Sequence, residues 1–514
     1  MKPNRTFLLV LVFVSGMTTM AVEMSASRLL DPYFGNSLMI WTVLIGLILI
    51  YLTVGYYVGG RLADRSPYEA TLYQLTAWAG FVIGLIPIVS QPILHYAVVG
   101  FANYSAGLLG GSLLGVLLLF SIPITLLGCV SPFAIRLAVR GVDSAGQTAG
   151  SIYALSTLGS IVGTFAPVLV FIPNIGTRQT FLFFSIVMLA ISLIGLIRVR
   201  SRRAPFYGVL LAIIVALAAL LPAGVIKASP GLVYETESLY NYIQVVKEGN
   251  TSYLFLNEGE GIHSIYTPGQ VLTGGIWDLF LIAPFLNNPP FTSDQMRSLA
   301  MVGLAAGTVP KQYTDVYGAI PIDGIDVDPK IIDVGRQFFD MTEPNLNAVA
   351  QDGRYFLTNS SKRYDVIAVD AYRPPYIPFH LTTREFFQQV FDHLTEKGVL
   401  AINVGRTRTD YALVDALCNT AHSVFPNVYV MDAPGYGSEL GNSLVVATRQ
   451  PTHPENLATN LKLIQNPVLR EVATTALPTL RPCAETESSL VFTDDRAPVE
   501  QVIHGLIVRY VLGR

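Results

Sequence analysis

The chain has 514 residues, 51% of them hydrophobic and 13% charged, with a mean hydropathy of +0.48. Soluble domains carry about a quarter charged residues, so an ordinary soluble globule is disfavoured. So are a disordered chain, which would be less apolar, and, with three cysteines, a disulfide scaffold. The net charge of −3 hides a split: residues 1–227 hold 13 Lys/Arg against 5 Asp/Glu, and residues 228–514 hold 20 against 31. The first part reads as membrane. The second reads as an acidic soluble domain, long enough to bury its own core, and its acidity argues against nucleic acid as a partner.

Crossing a bilayer takes about 20 mostly apolar residues. Seven spans are expected, at 7–24, 38–58, 72–89, 107–130, 150–172, 180–197 and 206–226, and residues 71–130 contain no Lys, Arg, Asp or Glu. Lys2, Arg5, Arg61, Arg65, Arg136, Arg140, Arg198, Arg200, Arg202 and Arg203 fall on one side, against Arg28, Arg178 and Lys227 on the other. That bias predicts a cytoplasmic N-terminus and a multi-pass protein of the cell membrane. Seven spans would then put the soluble domain outside. Glu23, near the end of the first span, reads as part of a helix-end ion pair with Arg28, before a turn at 29–36. Small residues at four-residue spacing (Gly55 and Gly59; Gly107, Gly111 and Gly115; Ser156 and Ser160) read as close helix packing.

Beyond residue 234 the texture changes. Residues 242–246 and 253–256 are short β-type runs around a hairpin. Strands at 298–303, 324–327, 364–370 and 399–404 then alternate with helices at 331–339, 384–394 and 411–424. Such alternation predicts a mostly parallel sheet covered by helices, with its ligand at the carboxyl ends of the strands. The expected architecture is a membrane α-helical bundle plus α/β. Residues 1–227 form the seven-helix part, residues 228–275 a small β-domain, and residues 276–514 a Rossmann-type, methyltransferase-like domain.

Three strand ends carry chemistry. Val302-Gly303-Leu304-Ala305-Ala306-Gly307-Thr308 is a glycine-containing turn after the first parallel strand. Asp326, about 20 residues on, suits a ribose diol, while Asp328 before Pro329 suits a helix N-cap. Asp352-Gly353 precedes a turn, and Asp370 closes its strand. Together these describe a nucleoside-binding transferase. His263 before Ser264 reads as a polar lid contact. His380 reads as a second base or a residue packed under a loop. Cys418 and Cys483 lack zinc spacing, and Cys418 reads as core.

These residues are similar to those of the spermidine synthase (polyamine aminopropyltransferase) family. The whole chain resembles its membrane-fused bacterial branch, through residues 234–403, Thr493-Asp494-Asp495-Arg496-Ala497-Pro498-Val499-Glu500, and the bundle motifs at 59–64 and 159–164. The resemblance implies transfer of an aminopropyl group from decarboxylated S-adenosylmethionine to an amine, with methylthioadenosine as product and no tightly bound cofactor. It implies Asp370 as the catalytic base. Asn241, Gly303, Asp326, Asp352, Gly353 and Pro378 would hold the donor, and Tyr240, Trp277, Asp278 and Arg373 would lie toward the acceptor. It also implies a cytoplasmic donor, against the outward topology of seven spans, and it leaves a homodimer open. Three positions depart from the family: Ala306 replaces an Asp, Trp277 a His and Arg373 an Asp. They leave open a related transferase acting on a non-polyamine acceptor, or a non-catalytic sensor or transport-coupled protein.

Overall fold

The computed structural model describes residues 4–35, 38–101, 107–139, 141–220, 226–257, 261–372, 377–434, 440–483 and 490–511. The chain falls into two compact units, Met1–Ser229 with Glu235–Tyr242, and Pro230–Tyr234 with Ile243–Arg514.

The first unit is helical, since long apolar runs offer backbone groups no partners but each other. Among the described residues, five helical stretches are long and apolar enough to cross a membrane, Arg5–Phe34, Ile40–Arg65, Glu69–Val98, Gly110–Ala138 and Val142–Arg198. The expected seven is therefore corrected to five. Two expected spans, 150–172 and 180–197, lie inside the single 57-residue run Val142–Arg198. At Gly176 (φ 79°) the backbone leaves helical geometry, and two helical pieces meet there at a kink. The amide freed at the bend is satisfied, because Thr177 donates its N–H and hydroxyl to the Glu237 carboxylate at 2.6 and 2.5 Å. The last apolar helix, Ala204–Leu220, has 17 residues, about 26 Å of rise against a hydrocarbon core of about 30 Å.

The small-residue spacing does what it predicts. A Cβ on Gly55 would lie 2.4 Å from Thr125 O, and one on Gly16 would lie 2.2 Å from Ser156 O. The backbones of those helices therefore touch. Glu23 is not at a helix end, because the helix runs on through the expected turn to Phe34 and buries it. Arg28 donates to the carbonyl of Leu239.

The described residues form two sheets. Strands β1 (Leu232–Glu237), β2 (Tyr242–Glu248), β3 (Thr251–Leu256) and β4 (Ile262–Tyr266) form the first, in that order. The second comprises β5 (Leu299–Val302), β6 (Ile322–Asp326), β7 (Leu346–Ala350), β8 (Tyr364–Val369), β9 (Leu394–Thr407), β10 (Asn427–Asp432), β11 (Leu440–Thr448) and β12 (Arg481–Pro482). Its order is β12-β10-β11-β9-β8-β5-β6-β7. The strands β9, β8, β5, β6 and β7 run parallel, which is the Rossmann-type arrangement expected. From β5 the chain steps outward to β6 and β7, then returns to β8 on the other side. The ligand crevice of such a sheet opens where the order reverses, at the carboxyl ends of β5 and β8.

Sequence periodicity missed helix Thr308–Tyr317, edge strand β7 and the antiparallel end of the sheet. The helix carries Pro310 and few apolar residues, so its pattern is faint. The cysteines are also corrected. Cys418, on helix Ala412–His422, is core as expected, but it is bonded to Cys483, 65 residues on, with Cα atoms 5.9 Å apart. A bridge closing so long a loop restricts the unfolded chain, typically by 2–4 kcal/mol. The double change Cys418→Ser with Cys483→Ser is expected to lower the melting temperature of this unit in calorimetry by several degrees.

Candidate active site

The site grows from three strand ends. Val302 closes β5, and Gly303 follows in the left-handed region (φ 89°), where a Cβ would stand 2.3 Å from Asp370 O. Asp370 N–H continues the pairing to Val302 O at 2.8 Å. Only glycine lets the turn after β5 lie on the end of β8. The turn is locked from two further directions. Ala306 N–H donates to Ser264 Oγ of β4, and Ala305 N–H donates to Asp326 Oδ2, both at 2.9 Å. Gly307 (φ 90°) then opens helix Thr308–Tyr317.

Asp326 ends β6. Its second oxygen accepts from Asp328 N–H at 3.0 Å. Burial raises its carboxyl to about 6, opposed by those two amides. Asp328 caps helix Pro329–Phe338, as expected. Asp352 caps helix Gly353–Asn359 through Tyr355 N–H, and Gly353 packs where a Cβ would meet Val302 Cγ1 at 2.4 Å. The other Asp352 oxygen lies 2.9 Å from His380 Nε2, and that hydrogen bond holds its carboxyl below the usual range. Pro378 begins the single helical turn Phe379–Leu381 that carries His380. Beside this pair, Arg354 forms a fork on Asp494, with both bonds at 2.7 Å, and donates to His380 O. Asp494 comes from the motif near the C-terminus.

Asp370 is half-buried. Its Oδ2 accepts the indole N–H of Trp277 at 2.9 Å, and its Oδ1 accepts from Asn403 Nδ2 at 2.8 Å. Burial pushes this carboxyl up, and the two donors oppose that rise. Trp277 and Asp370 are 93 residues apart in sequence, so only the fold joins them. Asp278, on the same short helix, is turned away from that pair. Its carboxylate accepts from Thr273 N–H and hydroxyl, Gly274 N–H and Gln312 Nε2. Tyr240 and Asn241 lie in the segment grouped with the helical unit. There Ser238 closes a tight turn by accepting from Asn241 N–H at 2.8 Å. Arg373 lies outside the described residues. Burial lowers the His263 imidazole to about 4, so it is neutral at pH 7.

Sequence reasoning missed Asn403, Asn442 and Arg354. Asn403 alone had a signal, a polar residue near the end of an apolar strand. Among the described residues no cluster of His, Cys, Asp and Glu suits a metal ion.

Residues 317–455 match the Spermine/spermidine synthase domain. A probable polyamine aminopropyl transferase from Bifidobacterium longum is 33% identical over 291 residues, which is 52% of this chain and 61% of that protein. A polyamine aminopropyltransferase from Vibrio vulnificus is 28% identical over 232 residues, 42% of this chain and 71% of that one. The chain thus spans 61% of the length of the first of these relatives. A crystal structure of a probable spermidine synthase from Corynebacterium glutamicum superposes with a TM-score of 0.39 at 18% identity, over 51% of this chain and 99% of that one. The match at 317–455 runs from the end of helix Thr308–Tyr317 through β6, Asp326, Asp352 and Asp370 to Asn403 and β11. The ends of β6 and β8 thus lie inside the matched stretch, while the turn after β5 and Trp277 precede it.

Proposed function

We propose that the chain is a membrane-anchored aminopropyltransferase, with a cytoplasmic N-terminus, that moves the aminopropyl group of decarboxylated S-adenosylmethionine to an amine. The observation that carries this reading is the half-buried Asp370 at the carboxyl end of β8, held by Trp277 and Asn403 beside the glycine turn. The relatives named as polyamine aminopropyltransferases support it. The acceptor nitrogen must be neutral to attack the propyl carbon bonded to the sulfonium. As the C–N bond forms and the C–S bond breaks, sulfur keeps the bonding pair and leaves as the thioether of methylthioadenosine. The surplus N–H proton passes to Asp370. A neutral leaving group needs no acid, so alignment of nitrogen and carbon carries much of the remaining barrier.

In this reading Asp326 accepts from the ribose hydroxyls, and Gly303 lets the backbone approach the nucleoside. Asp352 with Gly353 holds the base end, and Pro378 starts the loop over the donor. Trp277 and Asp278 lie toward the acceptor, with Asp278 acting through the loop it ties.

One observation favours an acceptor less cationic than a polyamine. The Asp278 carboxylate already accepts four hydrogen bonds from its own surroundings, and an indole lies on Asp370. Competition among monoamines and diamines in the transfer assay separates the two acceptor classes.

The test of the donor site is calorimetric binding of decarboxylated S-adenosylmethionine, S-adenosylmethionine and methylthioadenosine to the full chain in detergent. The decarboxylated donor and methylthioadenosine are expected to bind, and Asp326→Ala is expected to weaken them by about 10- to 100-fold, the range for hydrogen bonds to a charged group. Preference for the carboxylated donor overturns aminopropyl transfer in favour of methyl transfer, and absence of binding overturns both. The pH dependence follows from Asp326 at about 6. The ionised acid accepts hydroxyl hydrogens, and it is lost as pH falls. Affinity is therefore flat above pH 7 and falls about tenfold by pH 5, and Asp326→Asn removes that dependence.

A further inference from the structure

Asp370 sits at the start of a chain of amides crossing three strands. Asn403 is on β9, next to β8, and its Nδ2 donates to Asp370 Oδ1 at 2.8 Å. Its Oδ1 accepts from Asn442 Nδ2, also at 2.8 Å. Asn442 is on β11, which runs antiparallel to β9 with Leu444 opposite Asn403.

An asparagine side chain is nearly symmetric in shape and opposite in polarity at its two ends. Asn403 is 6% exposed, so little water reaches it, and its neighbours choose which end meets the carboxylate. A carboxylate stabilises the amide NH2 and repels the carbonyl. That preference alone has to hold in a buried site through each protonation of Asp370, when the acid becomes a donor and would accept either end. Asn442 removes the ambiguity by presenting an N–H to the far end of Asn403.

We propose that Asn442, which does not touch Asp370, is a positioning residue that fixes Asn403 with its amide NH2 toward the Asp370 carboxylate. The inference rests on the reading of Asp370 as the base, and it names what keeps that base accepting. The backbone supports the same frame. Tyr372 hydroxyl donates to Asn403 O at 3.2 Å and accepts from Gly405 N–H at 2.5 Å, which ties the segment after β8 to β9. Tyr372 is the titratable neighbour that feels Asp370, and burial raises its phenol so that it stays neutral. Trp277, Gly303 and Asn403, which reach Asp370 from the other elements, have no titratable group. Arg373 lies outside the described residues.

The test is Asn442→Asp in the full chain. It keeps the shape, but it presents oxygens to Asn403 and so turns the Asn403 carbonyl toward Asp370. Two readouts are needed. The first is the acid limb of the pH profile of kcat/KM for aminopropyl transfer. The second needs no substrate. It is a pH titration of Trp277 emission, isolated by subtracting the matching Trp277→Phe protein and assigned to Asp370 by its loss in Asp370→Asn.

Both midpoints are expected to rise in Asn442→Asp by about one pH unit or more, a tenfold gain in proton affinity. Asn442→Leu, which removes the donor without adding charge, should raise them less. In an Asn403→Leu background Asn442→Asp should add nothing, because the effect runs through Asn403. An unmoved emission midpoint in Asn442→Asp overturns the proposal, as does an equal rise in both backgrounds, which would be plain charge repulsion. If the protein catalyses no transfer but the emission midpoints move as stated, the proposed function fails and the positioning role of Asn442 stands.

Discussion

Asp370→Asn is expected to lower kcat for aminopropyl transfer by about 10²- to 10⁴-fold, the range that a positioned general base contributes. The change keeps the shape and keeps an oxygen for one of the two donors, Trp277 and Asn403. What it removes is the place for the proton of the attacking nitrogen. Because Asp370 acts in the chemical step, the affinity for methylthioadenosine should stay within about threefold of the unsubstituted chain. A parallel loss of product binding would mean that the substitution had disturbed the site rather than emptied it of a base, and the role of Asp370 would have to be withdrawn. The direction with pH also follows. Burial holds the Asp370 carboxyl above the usual carboxylate value, so transfer should fall as pH drops through that raised value, while the asparagine variant keeps a flat residual rate.

Gly303→Ala is expected to have the second largest effect, and to strike stability and rate together. At φ 89° alanine is strained, and its Cβ would stand 2.3 Å from the carbonyl oxygen of Asp370. The obstruction is backbone, so the turn after β5 or the end of β8 must move by about an ångström. Strain and overpacking of this kind cost about 2–4 kcal/mol. A displacement of about 1 Å at the reacting groups lowers kcat/KM by about 10²-fold. Gly318→Ala is the control. It has the same left-handed backbone (φ 82°) but open space around its Cβ. Its melting temperature should fall by only the smaller, conformational part, with activity retained. If both alanine variants behave alike, the contact between Gly303 and Asp370 is not what holds the site.

Much of this site could be read along the chain. Gly303, Asp326, Asp352 and Asp370 stand at strand ends, where a Rossmann-type sheet delivers its ligand contacts, and their order and spacing point to a nucleoside. The pairs that make the site work were not legible in the same way. Trp277 reads only as a replacement of the family's His, but its indole reaches Asp370 across 93 residues. Asp278 reads as an acid of the acceptor side, and its carboxylate is taken up by its own loop and Gln312. Asn442 has no local signal, because its meaning depends on a register of antiparallel strands that no single segment contains. In the helical unit, apolar runs predicted helices correctly and miscounted them. Hydropathy cannot distinguish a bend at Gly176 from the end of a span.

The sequence by itself determined the two-part composition of this protein, the helical character of its apolar half, the alternation that makes its other half a mostly parallel sheet, and the acids at that sheet's strand ends. Each depends on neighbours within a few residues, where periodicity and turn chemistry act. The tertiary structure alone decided which carboxylates are taken up by their own loops, which way Asn403 faces, that Cys418 joins Cys483, and that the long run to Arg198 folds at Gly176. Those outcomes depend on burial and on hydrogen-bond partners brought together from distant segments, and such contacts have no period along the chain.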